Sequence, residues 1–273
     1  MGRTRIRRLV AADKWRLGPH APGWQEQGSR EAALARTTVK TKVKAVTGRA
    51  RGARGWPPDP ARVEAIFALL AAVMPEPKTE LNFTSPYTLV VAVALSAQAT
   101  DVSVNKATDR LFAVADTPEK MLALGEEGLI SYIASIGLYR NKAKNVIALS
   151  RMVLEQHGGK VPLTREGLQA LPGVGRKTAS VVLNELEIEP AIAVDTHVFR
   201  VSHRLALANA ATPDKVEAQL HQIVPAGWLP KAHHWLILHG RYTCVARKPK
   251  CEVCVIRDLC PSVSDLELLG RRV

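Results

Sequence analysis

Residues 85–101 read SPYTLVVAVALSAQATD, and the conformation of this run decides the fold class. A Val-rich apolar stretch suits a buried strand, but strands of that kind span about 4 to 8 residues. The run from Pro86 to Ala99 has 14. Ser85 followed by Pro86 also matches a helix start, a side-chain cap ahead of a residue whose fixed φ is already helical. The segment therefore reads as a helix, and because apolar residues cover it all round it should be central.

Comparable stretches fill the rest of the chain. Asp59 caps a helix that opens at Pro60 and is closed by Pro75. Others are expected over residues 102–114, 117–124, 126–136, 140–157, 164–171, 176–186, 197–207, 212–223 and 231–242, most of them separated by short Gly or Pro connections. No alternating apolar pattern with hairpin turns occurs. The expected fold is all-α.

Charge divides the chain unevenly. The formal net charge is +13, and residues 1–55 hold 14 Lys or Arg against 3 Asp or Glu. Residues 1–55 show no period and too few apolar side chains for a core, so they read as a disordered basic arm suited to a polyanion. The folded body starts near Trp56. The longest apolar run, Ala65–Met74, has ten residues, against about 20 needed to cross a bilayer. The arm is Arg-rich and acid-poor, as organelle transit peptides are, and lacks the apolar stretch of a secretory signal.

All four cysteines, Cys244, Cys251, Cys254 and Cys260, lie within 17 residues, spaced C-x6-C-x2-C-x5-C. A disulfide framework would be spread through a secreted domain, so a reducing compartment is expected. Four thiolates in one short loop suit either a [4Fe–4S] cluster or zinc, and the spacing alone leaves both open. Arg241, Arg247, Lys248, Lys250 and Arg257 surround them, either to offset the charge of the site or to meet phosphates.

Residues 171–179 read LPGVGRKTA. A helix before, two glycines in the turn and a helix opening at Arg176 make a helix-hairpin-helix, whose Gly173 and Gly175 permit backbone conformations that a side chain would forbid. Its backbone N–H groups at a helix start suit a DNA phosphate, a contact blind to base sequence. Lys177 stands in the first turn of that helix. The positive end of the dipole, with partial dryness, favours its neutral amine, a nucleophile able to form a Schiff base. Eighteen residues on, VDTHVFR places Asp195 before a further helix, where a carboxylate can cap the helix, hold positive charge on a sugar or accept a proton. His197 reads as structural support.

Together these residues resemble the endonuclease III family of iron–sulfur DNA glycosylases in the helix-hairpin-helix superfamily. The segments that carry the resemblance are TELNF, ALSAQATDVSVNKAT, IGLYRNKA, LPGVGRKTA, VDTHVFR, HHWLILHGRYTC and the four cysteines in the family's spacing, all within residues 60–262. The resemblance implies a six-helix barrel over about residues 79–189, and a second domain joining residues 56–78 to 190–265 with a [4Fe–4S] cluster. Between them would lie a cleft that receives a nucleotide turned out of the duplex. It further implies Lys177 as nucleophile, Asp195 as catalytic carboxylate, Arg176 with the hairpin glycines on DNA, Gln98 and Leu138 filling the gap in the duplex, and Cys244, Cys251, Cys254 and Cys260 as cluster ligands.

The implied activity is that of a bifunctional DNA glycosylase and abasic-site lyase, acting as a monomer on duplex DNA with oxidised pyrimidines. A bacterial cytoplasm and nucleoid is the expected setting, with organelle targeting left open. The adenine-type glycosylases share the cluster spacing and the aspartate, but lack a lysine at position 177 and carry a large additional C-terminal domain, whereas this sequence ends 13 residues after Cys260. A DNA-binding protein without chemistry would leave Lys177 and Asp195 unexplained.

Overall fold

The computed structural model describes residues 55–265, so the basic arm lies outside the described residues apart from its last position. Among the described residues there are helices and turns and no strand. The chain packs as two units, one over residues 81–160 and one joining the segment up to Glu80 with residues 161–265.

The first unit is built on helix α2, Pro86–Ser96. Ser85 opens it with a capping box: its Oγ accepts from the Thr88 N–H at 3.2 Å, and Thr88 Oγ1 accepts from the Ser85 N–H at 2.8 Å. Every residue from Tyr87 to Val93 is buried, as an all-round apolar helix requires. Around it stand α3 (Asp101–Phe112), α4 (Pro118–Ile133) and α5 (Tyr139–His157), with α4 packed along α5 and against α3. The sequence divides α4 in two, and the division is real. Gly125 (φ 71°, ψ 175°) kinks the helix at the expected break. The Ser150 hydroxyl donates to the Val146 carbonyl at 2.6 Å, which leaves its oxygen to accept from the buried Tyr87 hydroxyl at 2.6 Å.

The second unit contains α1 (Pro60–Val73), α6 (Arg165–Ala170), α7 (Arg176–Glu185), α8 (Thr196–Arg204), α9 (Pro213–Ile223) and α10 (Leu229–Tyr242). Two short 3-10 turns follow, Cys251–Val253 and Arg257–Leu259. Its core joins Val63, Phe67 and Leu70 of α1, Val198 and Val201 of α8, and Trp235 and Leu236 of α10. Each such side chain contributes about 1.5–3 kcal/mol by leaving water. Helices α8 and α10 approach so closely at Gly240 that an added Cβ would lie 2.9 Å from His197 Cβ and 3.3 Å from the His197 carbonyl. Buried Arg62 of α1 donates to the carbonyls of Leu205 (2.7 Å), Ala206 (3.2 Å) and Leu259 (3.3 Å), tying the first helix to the end of α8 and to the last turn.

By packing, the hairpin α6–α7 groups with the C-terminal segment. The reason is a set of polar ties along α7. Arg176 pairs with Glu217 at 3.2 Å, Glu185 with His234 at 2.9 Å, and Asn184 Oδ1 accepts from the Ala191 N–H at 3.1 Å.

Candidate active site

The turn between α6 and α7 is anchored by Leu168, Leu171 and Val174, all buried, while Gly173 and Gly175 are exposed. Gly173 has φ +78°, the left-handed region that a side chain strains. Gly175 has an ordinary φ of −85°, and a Cβ built there would meet nothing within 4 Å. Its lack of a side chain therefore serves no packing purpose in this chain. As the N-cap of α7 it offers no side-chain acceptor, and the first turn carries no acidic residue. The first N–H groups of α7 thus have no side-chain cap, and such a helix start suits an anion.

Lys177 projects from this first turn and is exposed. Beside it Arg176 is engaged, by Glu217 Oε2. Asp195 caps α8 with a single oxygen: Oδ1 accepts from the N–H groups of His197 (2.8 Å) and Val198 (2.7 Å). Oδ2 is left for another partner, and the carboxylate is only partly buried. Lys177 and Asp195 both belong to the second unit, on helices whose starts are fixed in different ways, α7 by a glycine turn and α8 by the aspartate itself.

His233 of α10 is buried, and the charge of Lys177 bears on its ring. Burial first, then the neighbouring His234, Lys177 and Arg241, hold its pKa well below the usual histidine range. His233 lies in the segment HHWLILHGRYTC, where the sequence alone assigned it no role. Its signal, two adjacent histidines in an otherwise apolar helix, was there to be read.

The four cysteines converge. All line one cavity together with Leu205, His239, Thr243, Pro249, Lys250, Arg257 and Val263. None is in a disulfide. Burial pushes the Cys254 thiol up to about 12 and that of Cys260 to about 11, so these thiols would keep their protons without an electron-poor partner to displace them. Among the described residues no three His, Cys, Asp or Glu side chains close on a single-ion position. Four sulfurs around one cavity suit a cluster, with one sulfur per iron. Arg204 secures the loop by donating to the carbonyls of Cys244 (3.3 Å), Val245 (2.7 Å) and Ala246 (2.8 Å), and lies 3.4 Å from Cys244 Sγ. His239 Nε2 lies 3.8 Å from Cys254 Sγ, and burial brings the His239 pKa down to about 4, so the ring there is neutral. Arg204 and His239 escaped the sequence reading because helix position alone does not reveal which way an arginine or histidine turns. Of the basic residues around the loop, Arg241 is paired with Glu80, while Arg247, Lys248 and Lys250 are exposed.

In the first unit, Gln98 (φ 54°) and Leu138 (φ 61°) share an uncommon feature: both are non-glycine residues in the left-handed region. Both are exposed, Leu138 to 59%. Their loops are neighbours, since a Cβ at Gly137 would lie 3.8 Å from the Gln98 carbonyl. Strain at two adjoining exposed loops, one presenting an apolar side chain to solvent, marks a surface shaped for something other than stability.

Comparison with known proteins covers most of the described chain. The model of the HhH-GPD superfamily of base excision DNA repair proteins matches residues 91–226, and that of the iron–sulfur binding domain of endonuclease III matches residues 244–260. The chain is 60% identical over 186 residues to endonuclease III of Escherichia coli (strain K12), covering 68% of this chain and 88% of that protein. It is 57% identical over 198 residues to endonuclease III of Rickettsia conorii, covering 72% and 94%. Its structure is similar to that of an endonuclease III trapped as a covalent intermediate with DNA, with a TM-score of 0.72 and 42% identity over 76% of this chain and 98% of the other. A non-covalent endonuclease III–DNA complex gives a TM-score of 0.73 and 41% identity over 77% and 99%.

Proposed function

The chain belongs to the endonuclease III family of helix-hairpin-helix base excision DNA repair proteins, and we propose that its reaction runs through Lys177 and Asp195. It is a bifunctional DNA glycosylase and abasic-site lyase that binds DNA and carries a [4Fe–4S] cluster. The proposed ligands of that cluster are Cys244, Cys251, Cys254 and Cys260, where it serves as a cross-link that holds the loop in shape.

The Lys177 amine, once neutral, attacks C1' of a nucleotide turned out of the duplex. The bond from C1' to the base breaks, and the base leaves with the electron pair and takes a proton from water. Asp195 Oδ2 accepts the proton from the ammonium of Lys177 and passes it to O4' as the sugar ring opens, its restored carboxylate then facing the positive charge on the imine. Opening of the sugar ring gives the protonated imine between C1' and Lys177. Loss of a C2' proton then breaks the C3'–O bond, releasing the 3' phosphate, and water returns the free amine. The bare start of α7 at Gly175, with Gly173 setting the turn and Arg176 beside it, takes a backbone phosphate and brings the strand to Lys177. Gln98 and Leu138 occupy the space that the extruded nucleotide leaves, which gives their strained backbones a use.

The observation that carries this reading is the exposed amine one residue into a helix whose start has neither a capping side chain nor an acid. The substrates are oxidised pyrimidines in duplex DNA, the working form is a monomer, and the setting is a bacterial nucleoid. Among the described residues no helix is long and apolar enough to cross a membrane. Borohydride added to the protein on a duplex with one thymine glycol should leave a covalent adduct. Lys177→Ala should abolish it, and an adduct that survives that change would refute the assignment of the nucleophile.

A further inference from the structure

Arg62 of α1 brings a positive charge into the core of the second unit. It is 2% exposed, and its guanidinium donates to three backbone carbonyls, those of Leu205 (2.7 Å), Ala206 (3.2 Å) and Leu259 (3.3 Å). Among the described residues no carboxylate forms an ion pair with it. The acids nearest in sequence serve elsewhere: Asp59 caps α1 and is exposed, and Glu64 accepts from Trp228 Nε1. A buried cation left uncompensated is strongly destabilising. The end of α8, whose C-cap is Leu205, answers only about half of a unit charge.

The remaining compensation lies on the other side of the same carbonyls. Leu205 lines the cavity of the four cysteines, and Leu259 immediately precedes Cys260. Arg204, one residue before Leu205, places its carbonyl 3.7 Å from Cys260 Sγ, and its Nη1 donates to Cys244 Sγ at 3.4 Å. Four thiolates around a dicationic iron–sulfur core make the filled cavity dianionic. The geometry points to Arg62 and Arg204 as the counter-charges of the [4Fe–4S] cluster, which hold its reduction potential up. This rests on the four cysteines as its ligands, as proposed above. Lys250 and Arg257 also line the cavity, but both are exposed, where water and salt screen them. A neutral donor at position 62 could cap the end of α8 as well. What a guanidinium adds there is charge.

The test uses the cluster-loaded full chain and its variants Arg62→Gln, Arg62→Lys and Arg204→Gln, read by protein-film voltammetry beside iron and sulfide content. An added electron makes the cluster more negative, so losing a nearby cation disfavours the reduced form. Arg62→Gln should shift the ratio of reduced to oxidised cluster at a fixed potential about tenfold toward the oxidised form, a fall of about 59 mV for a one-electron couple. Arg204→Gln should lower the potential in the same direction. Arg62→Lys, which keeps the charge and gives up part of the hydrogen bonding, should hold the ratio within about twofold of the parent. Equal shifts in Arg62→Gln and Arg62→Lys would show a structural tie and overturn the proposal, as would an unchanged potential in Arg62→Gln or Arg204→Gln. If Arg62→Gln does not retain its cluster, retention in Arg62→Lys supports the charge, and loss in both overturns it. Full iron content in Cys260→Ser would instead remove the ligand assignment on which the proposal rests.

Discussion

Leu138 and Gln98 show how a single residue can be shaped against its own preference. A left-handed backbone costs a non-glycine residue roughly 1–2 kcal/mol, and Leu138 also holds most of its side chain in solvent. Leu138→Gly should therefore separate stability from function: little or no loss in the denaturant midpoint, but slower single-turnover excision from duplex DNA. An unfolding free energy that falls by more than about 1 kcal/mol would mean that Leu138 packs where it looks exposed. Both positions could be named from their motifs, but not their strain. A dihedral angle is not written in residue type, and neither Gln nor Leu announces positive φ. Lys177 was legible in part. Its place in the first turn of a helix held, and the surroundings of its amine were not foreseeable, because His233 comes from a helix more than fifty residues further on.

At the scale of the element, the hairpin α6–α7 carries two glycines with opposite duties. Gly173 needs its φ of +78°, so Gly173→Ala should cost about 1–2 kcal/mol of stability. Gly175 has φ −85° and open space around its absent Cβ, so Gly175→Ala should leave stability within about 0.5 kcal/mol. Its methyl group would occupy the approach to the bare helix start and weaken binding to duplex DNA. Thermal denaturation and a DNA titration on both variants check the pair, and similar stability losses from both would contradict it. Helices themselves were legible wherever caps and prolines punctuate them: Asp59–Pro60, Ser85–Pro86 and Thr117–Pro118 all open helices. Their ends read less well. Helix α2 stops at Ser96 and not at Ala99, because Ala97 (φ −55°, ψ 119°) and Gln98 leave the helical region to form the strained loop.

For the whole molecule, two buried histidines link folding to pH. Burial lowers the pKa of His233 and brings that of His239 to about 4, whereas in the unfolded chain both titrate near 6.5. The folded state refuses protons that the unfolded chain accepts. The stability due to keeping these rings neutral is complete above about pH 6.5 and is lost as pH falls toward 4. Each histidine contributes a slope of up to about 1.4 kcal/mol per pH unit in that window. Urea midpoints at pH 7.5, 6 and 5, with the cluster absorbance followed at each pH, should show the decline. A flat profile with an intact cluster would count against it.

The sequence by itself determined the all-α class, the hairpin, the residue types of the candidate site and the cysteine spacing, because caps, glycine turns and apolar period act over a few neighbouring residues. What only the tertiary structure decided depends on contacts between distant segments. Examples are the grouping of α6–α7 with the C-terminal unit through Arg176, Asn184 and Glu185, the gathering of four sulfurs around one cavity, Arg62 reaching from the first helix to the last turn, and His233 standing by Lys177. Such contacts are fixed by how helices stack and which way their side chains turn, and a local pattern specifies neither.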